Sequence, residues 1–345
     1  MNIDFSLLNL SETFADTEFE KKVLDFIAEW LSESKTVKVQ TSGSTGTPKI
    51  FEIEKERMRH SAKMTCHLLG LKEGDSALLC LPVDYISGKM MAVRAIERKL
   101  NLIVKTPSIN PLSNLKEVID FCAMSPLQVE NSLHEIHLIK NIIIGGAAVS
   151  ESLKIKIFQQ LKNSSTQSRI FETYGMSETL SHIALKQIYP VSEDYFKVLD
   201  GVEISLDERS CLQIFAPSLN AEVLITNDLV EIYSRREFKF LGRIDNVINS
   251  AGLKIYPEQL ESLVKKVIPN EVVFLGIADE SLGQKLVLIV EGGENDMINA
   301  QLKSIEFPSK NHQPKEILFI GEFPRIPNGK IDRKTLEKLV KKNYR

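Results

Sequence analysis

The segment Thr41-Ser42-Gly43-Ser44-Thr45-Gly46-Thr47-Pro48-Lys49 gathers hydroxyls, glycines and a terminal cation within nine residues. Glycine lets backbone amides approach an anion closely, hydroxyls add donors, and a lysine adds a point charge. The alternation in Val37-Lys38-Val39-Gln40 predicts a strand leading into the segment. The chemistry of such a loop is phosphate binding; a mobile polar linker is the competing reading of the same composition. Spacing excludes a P-loop. Counting from Gly43 puts Pro48 where the second glycine belongs, counting from Gly46 puts Phe51 there, and Ile50 follows Lys49 where a magnesium-binding hydroxyl belongs. The three-glycine dinucleotide fingerprint is also missing.

Two further glycine-bearing turns follow apolar runs, Gly145-Gly146-Ala147 and Tyr174-Gly175-Met176-Ser177-Glu178-Thr179. Glu178, flanked by Ser177 and Thr179, is a carboxylate beside a phosphate site, which is costly unless a cation lies between them. Magnesium, which takes one or two carboxylates plus substrate phosphates, suits it; the alternative is an acid favoured by a helix N-terminus. Thr226-Asn227-Asp228 reads as a turn, and Asp228 is either a turn residue or an acceptor for the two hydroxyls of a ribose. Near the end, Pro324-Arg325-Ile326-Pro327-Asn328-Gly329-Lys330 predicts a tight Asn-Gly turn presenting Lys330, whose plain reading is solvated surface.

The elements that must position these residues follow from periodicity. A helix is expected over residues 16–34, with Phe19, Val23, Phe26, Ile27, Trp30 and Leu31 on one face. Strands are expected at 77–81, 102–104, 141–146 and 169–175, with helices at 89–100 and 151–161 between them. Alternating strands and helices mean an α/β layered fold with parallel strands, and ligands in such sheets bind beyond the carboxyl ends of the strands. The three glycine-bearing turns all fall at predicted strand ends. After about residue 185 the strands become short, alternating and antiparallel, at 202–206, 212–215 and 229–232. From about Gly242 a smaller unit follows, with a helix at 257–267, strands near 272–276 and 286–290, and a basic helix from Arg333. The expected organisation is a large N-terminal layered α/β domain with mixed sheets, residues 1–241, and a small mobile α+β domain, residues 242–345.

The chain has 345 residues, 43 basic and 46 acidic, for a net charge of -3, which argues against a large nucleic-acid footprint. No apolar run reaches transmembrane length, and Met1-Asn2-Ile3-Asp4-Phe5 lacks the features of a signal peptide, so the expected location is cytoplasmic. Cys66, Cys80, Cys122 and Cys211 form no CxxC pair and read as small core residues; His134 and His137 form no HExxH.

Taken in order, the Thr41–Lys49 loop, Gly145-Gly146-Ala147, Tyr174–Glu178, Thr226–Asp228, the Gly242–Glu261 block and Pro327–Lys330 resemble the acyl-adenylate-forming superfamily. That group comprises acyl-CoA synthetases, firefly-luciferase-like enzymes and peptide-synthetase adenylation domains. The six pieces cover about the last seven-eighths of the chain; the first and fifth are highly specific, the short ones weak alone. Leu81-Pro82-Val83-Asp84-Tyr85-Ile86-Ser87-Gly88-Lys89-Met90-Met91 and Tyr174 to His182 are similar to segments of o-succinylbenzoate–CoA ligases of menaquinone synthesis, in a short form. Two departures stand out. Tyr85 occupies a position where many relatives carry histidine, which removes any imidazole role there. Only 40 residues precede the phosphate loop, against a much longer stretch in most relatives, so the resemblance implies a reduced N-terminal region.

The resemblance implies ATP, Mg2+ and coenzyme A as reactants. Thr41, Ser42, Gly43, Ser44, Thr45, Gly46 and Lys49 would hold the β- and γ-phosphates, Glu178 the magnesium ion, and Gly145, Gly146 and Tyr174 the adenine, with Gly175 and Ser177 also in the nucleotide site. Asp228 would accept the ribose hydroxyls with Arg243 nearby, Asp245 would be the hinge, and Lys330 would bridge the reacting carboxylate and the α-phosphate. For a dicarboxylic aryl acid, Tyr85, Ser87, Gly88, Lys89, Ser181 and His182 are the candidate acyl contacts. Lys89 and Arg94 are both candidates for the second carboxylate, with an exposed helix face as the alternative, favoured for Arg94; His182 is either an acyl contact or a satisfied polar neighbour. Within the family, another acid or a carrier protein is the alternative partner; outside catalysis, a nucleotide-binding relative is the alternative, against which Glu178, Asp228, Arg243 and Lys330 all stand. Dimerisation is left open.

Overall fold

A computed structural model of the chain describes residues 1–7, 14–40, 50–164, 166–325 and 331–343. In chain order the elements are β1 (Asn2–Asp4), α1 (Glu18–Leu31), β2 (Thr36–Gln40), β3 (Ile50–Glu54), α2 (Lys55–Leu69), β4 (Ser76–Leu79), α3 (Ile86–Arg98), β5 (Asn101–Val104) and β6 (Ile119–Met124). Then come α4 (Pro126–Asn131), β7 (Ile139–Ile144), α5 (Glu151–Leu161), β8 (Arg169–Gly175), β9 (His182–Tyr189), β10 (Phe196–Val198), β11 (Glu203–Leu206), β12 (Cys211–Ala216), β13 (Asn220–Ser234) and β14 (Glu237–Arg243). The last are β15 (Ile248–Ser250), β16 (Leu253–Ile255), α6 (Pro257–Val264), β17 (Val272–Asp279), β18 (Gly283–Glu291), α7 (Asp296–Lys303), β19 (Glu316–Ile320) and α8 (Arg333–Asn343).

The continuous apolar runs of the first half become strands buried on both faces. Successive side chains of a strand point to opposite sides of its sheet, so each run feeds two cores. Ala77, Leu79, Phe121, Ala123, Ile143 and Phe171 enter one core with α1, α2 and α3. Leu78, Cys122, Ile142, Ile144 and Ile170 enter the other with Val129 of α4 and Leu153, Ile157 and Leu161 of α5. The resulting sheet runs β1-β5-β4-β6-β7-β8-β9-β10-β14-β13-β12-β11, twelve strands among the described residues. Its middle, β5-β4-β6-β7-β8, is parallel, and everything from β9 onward pairs antiparallel. All four cysteines are buried and unpaired by disulfide, as core residues should be.

A second sheet repeats the two-sided pattern on a smaller scale. Phe274, Leu286, Leu288 and Val290 face α6 and α7, while Val273, Leu275, Val287 and Ile289 face Leu336 and Val340 of α8. Its order is β16-β15-β18-β17, with β19 parallel to β18. Residues 244–247 connect the two sheets.

Two expectations change here. The turn expected at Thr226-Asn227-Asp228 is the interior of β13, because pairing with β14, with Asp228 opposite Arg243, overrides the local turn preference of an Asn-Asp pair. The strand leading into residues 41–49 is present as β2, but β2 and β3 form a two-stranded sheet of their own, with Gln40 opposite Ile50, rather than ending a strand of the large sheet. A bridge from Gln40 to Tyr85 ties that hairpin beside the large sheet. Thr41, Ser42, Gly43, Ser44, Thr45, Gly46, Lys49 and Lys330 lie outside the described residues. No described helix is long and apolar enough to cross a membrane.

Candidate active site

The carboxyl ends of β8 and β14 and the middle of β13 bring three of the expected residues into direct contact. The Tyr174 hydroxyl donates to Asp228 Oδ2 at 2.5 Å, and Arg243 Nη1 donates to Asp228 Oδ1 at 3.3 Å. The other side of the guanidinium donates from Nη2 to Asp245 Oδ2 at 3.0 Å, and Asn227 Nδ2 also reaches Asp245. Burial, reinforced by the Asp228 charge, pushes the Tyr174 phenol well above its usual value, so it stays protonated and donates. The Tyr174 ring packs edge-on against Phe238 at 4.9 Å and tilted against Phe196 at 5.7 Å, which fixes an aromatic wall at this end of the sheet.

Gly145 and Gly146 leave the end of the neighbouring strand β7. Gly175 pairs with His182 across a tight turn, where a Cβ would sit 2.3 Å from Ser181 O, so only glycine fits. Inside that turn Thr179 is fully buried; its Oγ1 accepts from Met176 N at 3.0 Å and lies 2.7 Å from Ser181 O. Leu180 adopts φ 65°, a left-handed conformation that a branched side chain takes only when its surroundings impose it. Its side chain is buried beside Met90 and Val93 of α3, which supplies the compensation. The turn thereby holds Glu178 on the surface, in a three-residue 3-10 turn rather than at an α-helix N-terminus. A macrodipole therefore does not account for this carboxylate. Among the described residues no three acidic, histidine or cysteine side chains cluster as a metal site. A divalent cation here would be held by Glu178 together with phosphate oxygens of a ligand, which is how magnesium binds in nucleotide sites.

Behind the same turn lies a buried polar cluster. Arg94 of α3 is 2% exposed. Its Nη2 donates to Ser181 Oγ at 2.8 Å, and among the described residues Nη1 faces only the Met91 sulfur and Nε has no partner. Ser181 Oγ lies 3.3 Å from His182 Nδ1, and His182 Nε2 lies 3.0 Å from Thr65 Oγ1 of α2. Burial, reinforced by the Arg94 charge, holds His182 well below the usual range, so it is neutral. The neighbouring Cys66 thiol is pushed up to about 11 by burial and offers no compensating anion. Burial pulls Arg94 down to about 10, which leaves it charged at neutral pH without a carboxylate partner. An uncompensated buried cation costs several kcal/mol, a cost that an anion in contact with it would offset.

The exposed-face reading of Arg94 is therefore wrong, and Lys89, also buried, does not join the cluster. Lys89 Nζ sits 4.2 Å from the Phe26 ring of α1, and the charges of Glu29 and Asp84 act on it. Tyr85 is 38% exposed and precedes α3, and Ser87 lies exposed in its first turn. A Cβ on Gly88 would meet Pro82 O at 2.3 Å, so Gly88 lets α3 dock on the Leu81-Pro82 backbone. Thr65 was not among the residues singled out from sequence. A hydroxyl in the middle of a helix, buried where its neighbours Ala62 and Leu69 are apolar, was the available signal.

On the second sheet, Glu258 of α6 accepts from Asn246 Nδ2 at 2.6 Å and so ties the connector around Asp245 to that layer. Residues 325 and 331 bridge each other, Arg325 pairs with Glu291 at 2.7 Å, and Arg333 pairs with buried Glu261.

No family model matches the chain. The chain is 34% identical to an acyl-CoA synthetase (AMP-forming)/AMP-acid ligase II-like protein of Dyadobacter fermentans, over 98% of this chain and 99% of that one, with a TM-score of 0.67. A curated 2-succinylbenzoate–CoA ligase of Lactococcus lactis is 25% identical over 343 residues, covering 90% of this chain and 72% of the relative. The o-succinylbenzoate coenzyme A synthetase of Bacillus subtilis, solved in complex with ATP and magnesium ion, has the same fold at a TM-score of 0.71 and 20% identity, covering 87% of this chain and 69% of that one.

Proposed function

The chain belongs to the acyl-adenylate-forming family of AMP-forming acyl-CoA synthetases, and on that premise we propose that it is an ATP-dependent acid–CoA ligase acting on o-succinylbenzoate in menaquinone biosynthesis. The observation that carries the acyl substrate is the buried, unpaired Arg94 beside Ser181 and His182. A monocarboxylic acid would leave that cation uncompensated; a second carboxylate on the substrate supplies the missing anion. The likeness to curated 2-succinylbenzoate–CoA ligases supports the same choice.

The reaction has two halves. The substrate carboxylate attacks the α-phosphorus of ATP, pyrophosphate leaves, and an acyl-adenylate forms. The thiol of coenzyme A then attacks the adenylate carbonyl, AMP leaves, and the thiol proton passes to solvent. The first half is chiefly positioning and charge neutralisation. We assign the 41–49 segment, with Lys49, to the β- and γ-phosphates, Tyr174 and the Gly145-Gly146 turn to the adenine, and Asp228 to the ribose hydroxyls. Arg243 holds Asp228 in place and Lys330 neutralises charge between the carboxylate and the α-phosphate. Glu178, together with the phosphates, would hold a magnesium ion, which would supply charge screening for the leaving group. Residues 1–241 form the nucleotide- and acyl-binding domain and residues 242–345 the mobile domain carrying Lys330, with Asp245 as the hinge between the two half-reactions. ATP and coenzyme A are both available in the cytoplasm, where we place the enzyme.

Pyrophosphate exchange into ATP across a panel of aryl and acyl acids tests the proposal. Exchange with o-succinylbenzoate supports it, and exchange only with other acids moves the enzyme to a different branch of the family.

A further inference from the structure

We propose that Glu172 is a positioning residue for the nucleotide base, setting the separation between the loop that follows β7 and the Tyr174 aromatic wall. The inference rests on the nucleotide-site reading above. Glu172 lies two residues before Tyr174 on β8, so both side chains share one face of the sheet, and it stands opposite Ile144, the last residue of β7. Its Oε1 accepts from Val149 N at 3.0 Å. Val149 is buried in the core under α5, while Gly146, Ala147 and Ala148 before it are exposed. The loop is therefore held at its far end by this carboxylate together with the burial of Val149.

The other oxygen reaches the opposite wall. Glu172 Oε2 lies 2.9 Å from the ammonium of Lys186, its cross-strand neighbour on β9. The contact is off the hydrogen-bonding direction, and Lys154 stands further away at 4.0 Å. Lys186 Nζ in turn sits 4.4 Å from the centre of the Phe196 ring, and Phe196 packs against Tyr174. A continuous run of contacts joins loop, carboxylate, ammonium, Phe196 and Tyr174. A buried pair of this kind adds little net stability over an apolar pair of the same shape. Its geometric effect is to hold two walls at a set distance, and a base stacked between them is sensitive to that distance.

The test is calorimetric titration of ATP and of inorganic tripolyphosphate, which has no base, into the full chain, as wild type, Glu172→Gln, Lys186→Arg and the double variant Glu172→Gln/Lys186→Met. Wild type is expected to bind ATP in preference to tripolyphosphate. Glu172→Gln weakens ATP binding about tenfold, the scale of a hydrogen bond to a charged group, with little change for tripolyphosphate, so the preference shrinks. Lys186→Arg keeps the charge and retains the preference. The double variant removes both buried charges, folds without an unpaired cation, and shows the same loss of preference. A preserved ATP preference in Glu172→Gln and in the double variant, or an equal loss of both ligands, overturns the inference while leaving the nucleotide site in place. Wild type that binds no ATP overturns the nucleotide-site reading and the inference with it.

Discussion

Tyr174 donates its hydroxyl to Asp228 at 2.5 Å while Arg243 holds the other carboxylate oxygen, so the acceptor at this corner of the sheet is fixed in orientation before any ligand arrives. Tyr174→Phe keeps the ring against Phe238 and removes only that hydroxyl. The KM for ATP should rise several-fold, in line with about 1 kcal/mol for a lost hydrogen bond, with kcat little changed. Asp228→Asn should raise it further, since it also unpairs Arg243. Steady-state kinetics with ATP varied at saturating acid checks both; an unaltered KM in both variants would remove Asp228 from the nucleotide site.

Arg94→Met should move stability and activity in opposite directions. It replaces a buried, unpaired cation by an apolar chain of similar length, so the folded state gains about 1 kcal/mol or more. The KM for a dicarboxylic acid should rise at least tenfold, while the KM for ATP stays put. Thermal melts and acid-saturation curves on one preparation measure both. Loss of stability with an unchanged acid KM would make Arg94 a structural residue.

His182 makes stability depend on pH. Its folded pKa lies well below the ordinary imidazole value of about 6.5. Between those two values the unfolded chain binds a proton that the folded chain does not, so stability is full above about pH 6.5 and falls as pH drops below it. The slope from this one site is at most about 1.4 kcal/mol per pH unit. His182→Gln keeps a partner for Thr65 and cannot titrate, so the difference between denaturation at pH 7.5 and pH 5.5 should shrink by that amount. An identical pH dependence in the variant would refute the assignment.

Lys330→Ala should cripple adenylation and spare thiolation of a supplied acyl-adenylate, because the lysine acts on charge that exists only in the first half-reaction. Single-turnover measurement of each half-reaction decides this; equal loss of both halves would contradict the role given to Lys330.

The sequence made some of this plain and hid the rest for physical reasons. Strand β8 and helix α5 fall where local periodicity puts them, Arg169–Gly175 and Glu151–Leu161, because each strand of the parallel core is buried on both faces and each helix on one. Asp228 was misplaced in a turn because local residue preference points there, whereas pairing with Arg243 on β14 is a non-local effect. Arg94 looked like a solvated helix residue because its burial comes from α2 and the Ser181 turn, distant in sequence and packed over α3. Glu172 gave no signal at all: a lone acid in an apolar strand acquires its meaning only from Val149 and Lys186 on either side.

The most direct measurement is mass spectrometry of the products after incubation with ATP, Mg2+, coenzyme A and o-succinylbenzoate. The account predicts o-succinylbenzoyl-AMP when coenzyme A is withheld and o-succinylbenzoyl-CoA with AMP and pyrophosphate when it is present. ATP left intact with this acid, or conversion to ADP and phosphate instead of AMP and pyrophosphate, would contradict it.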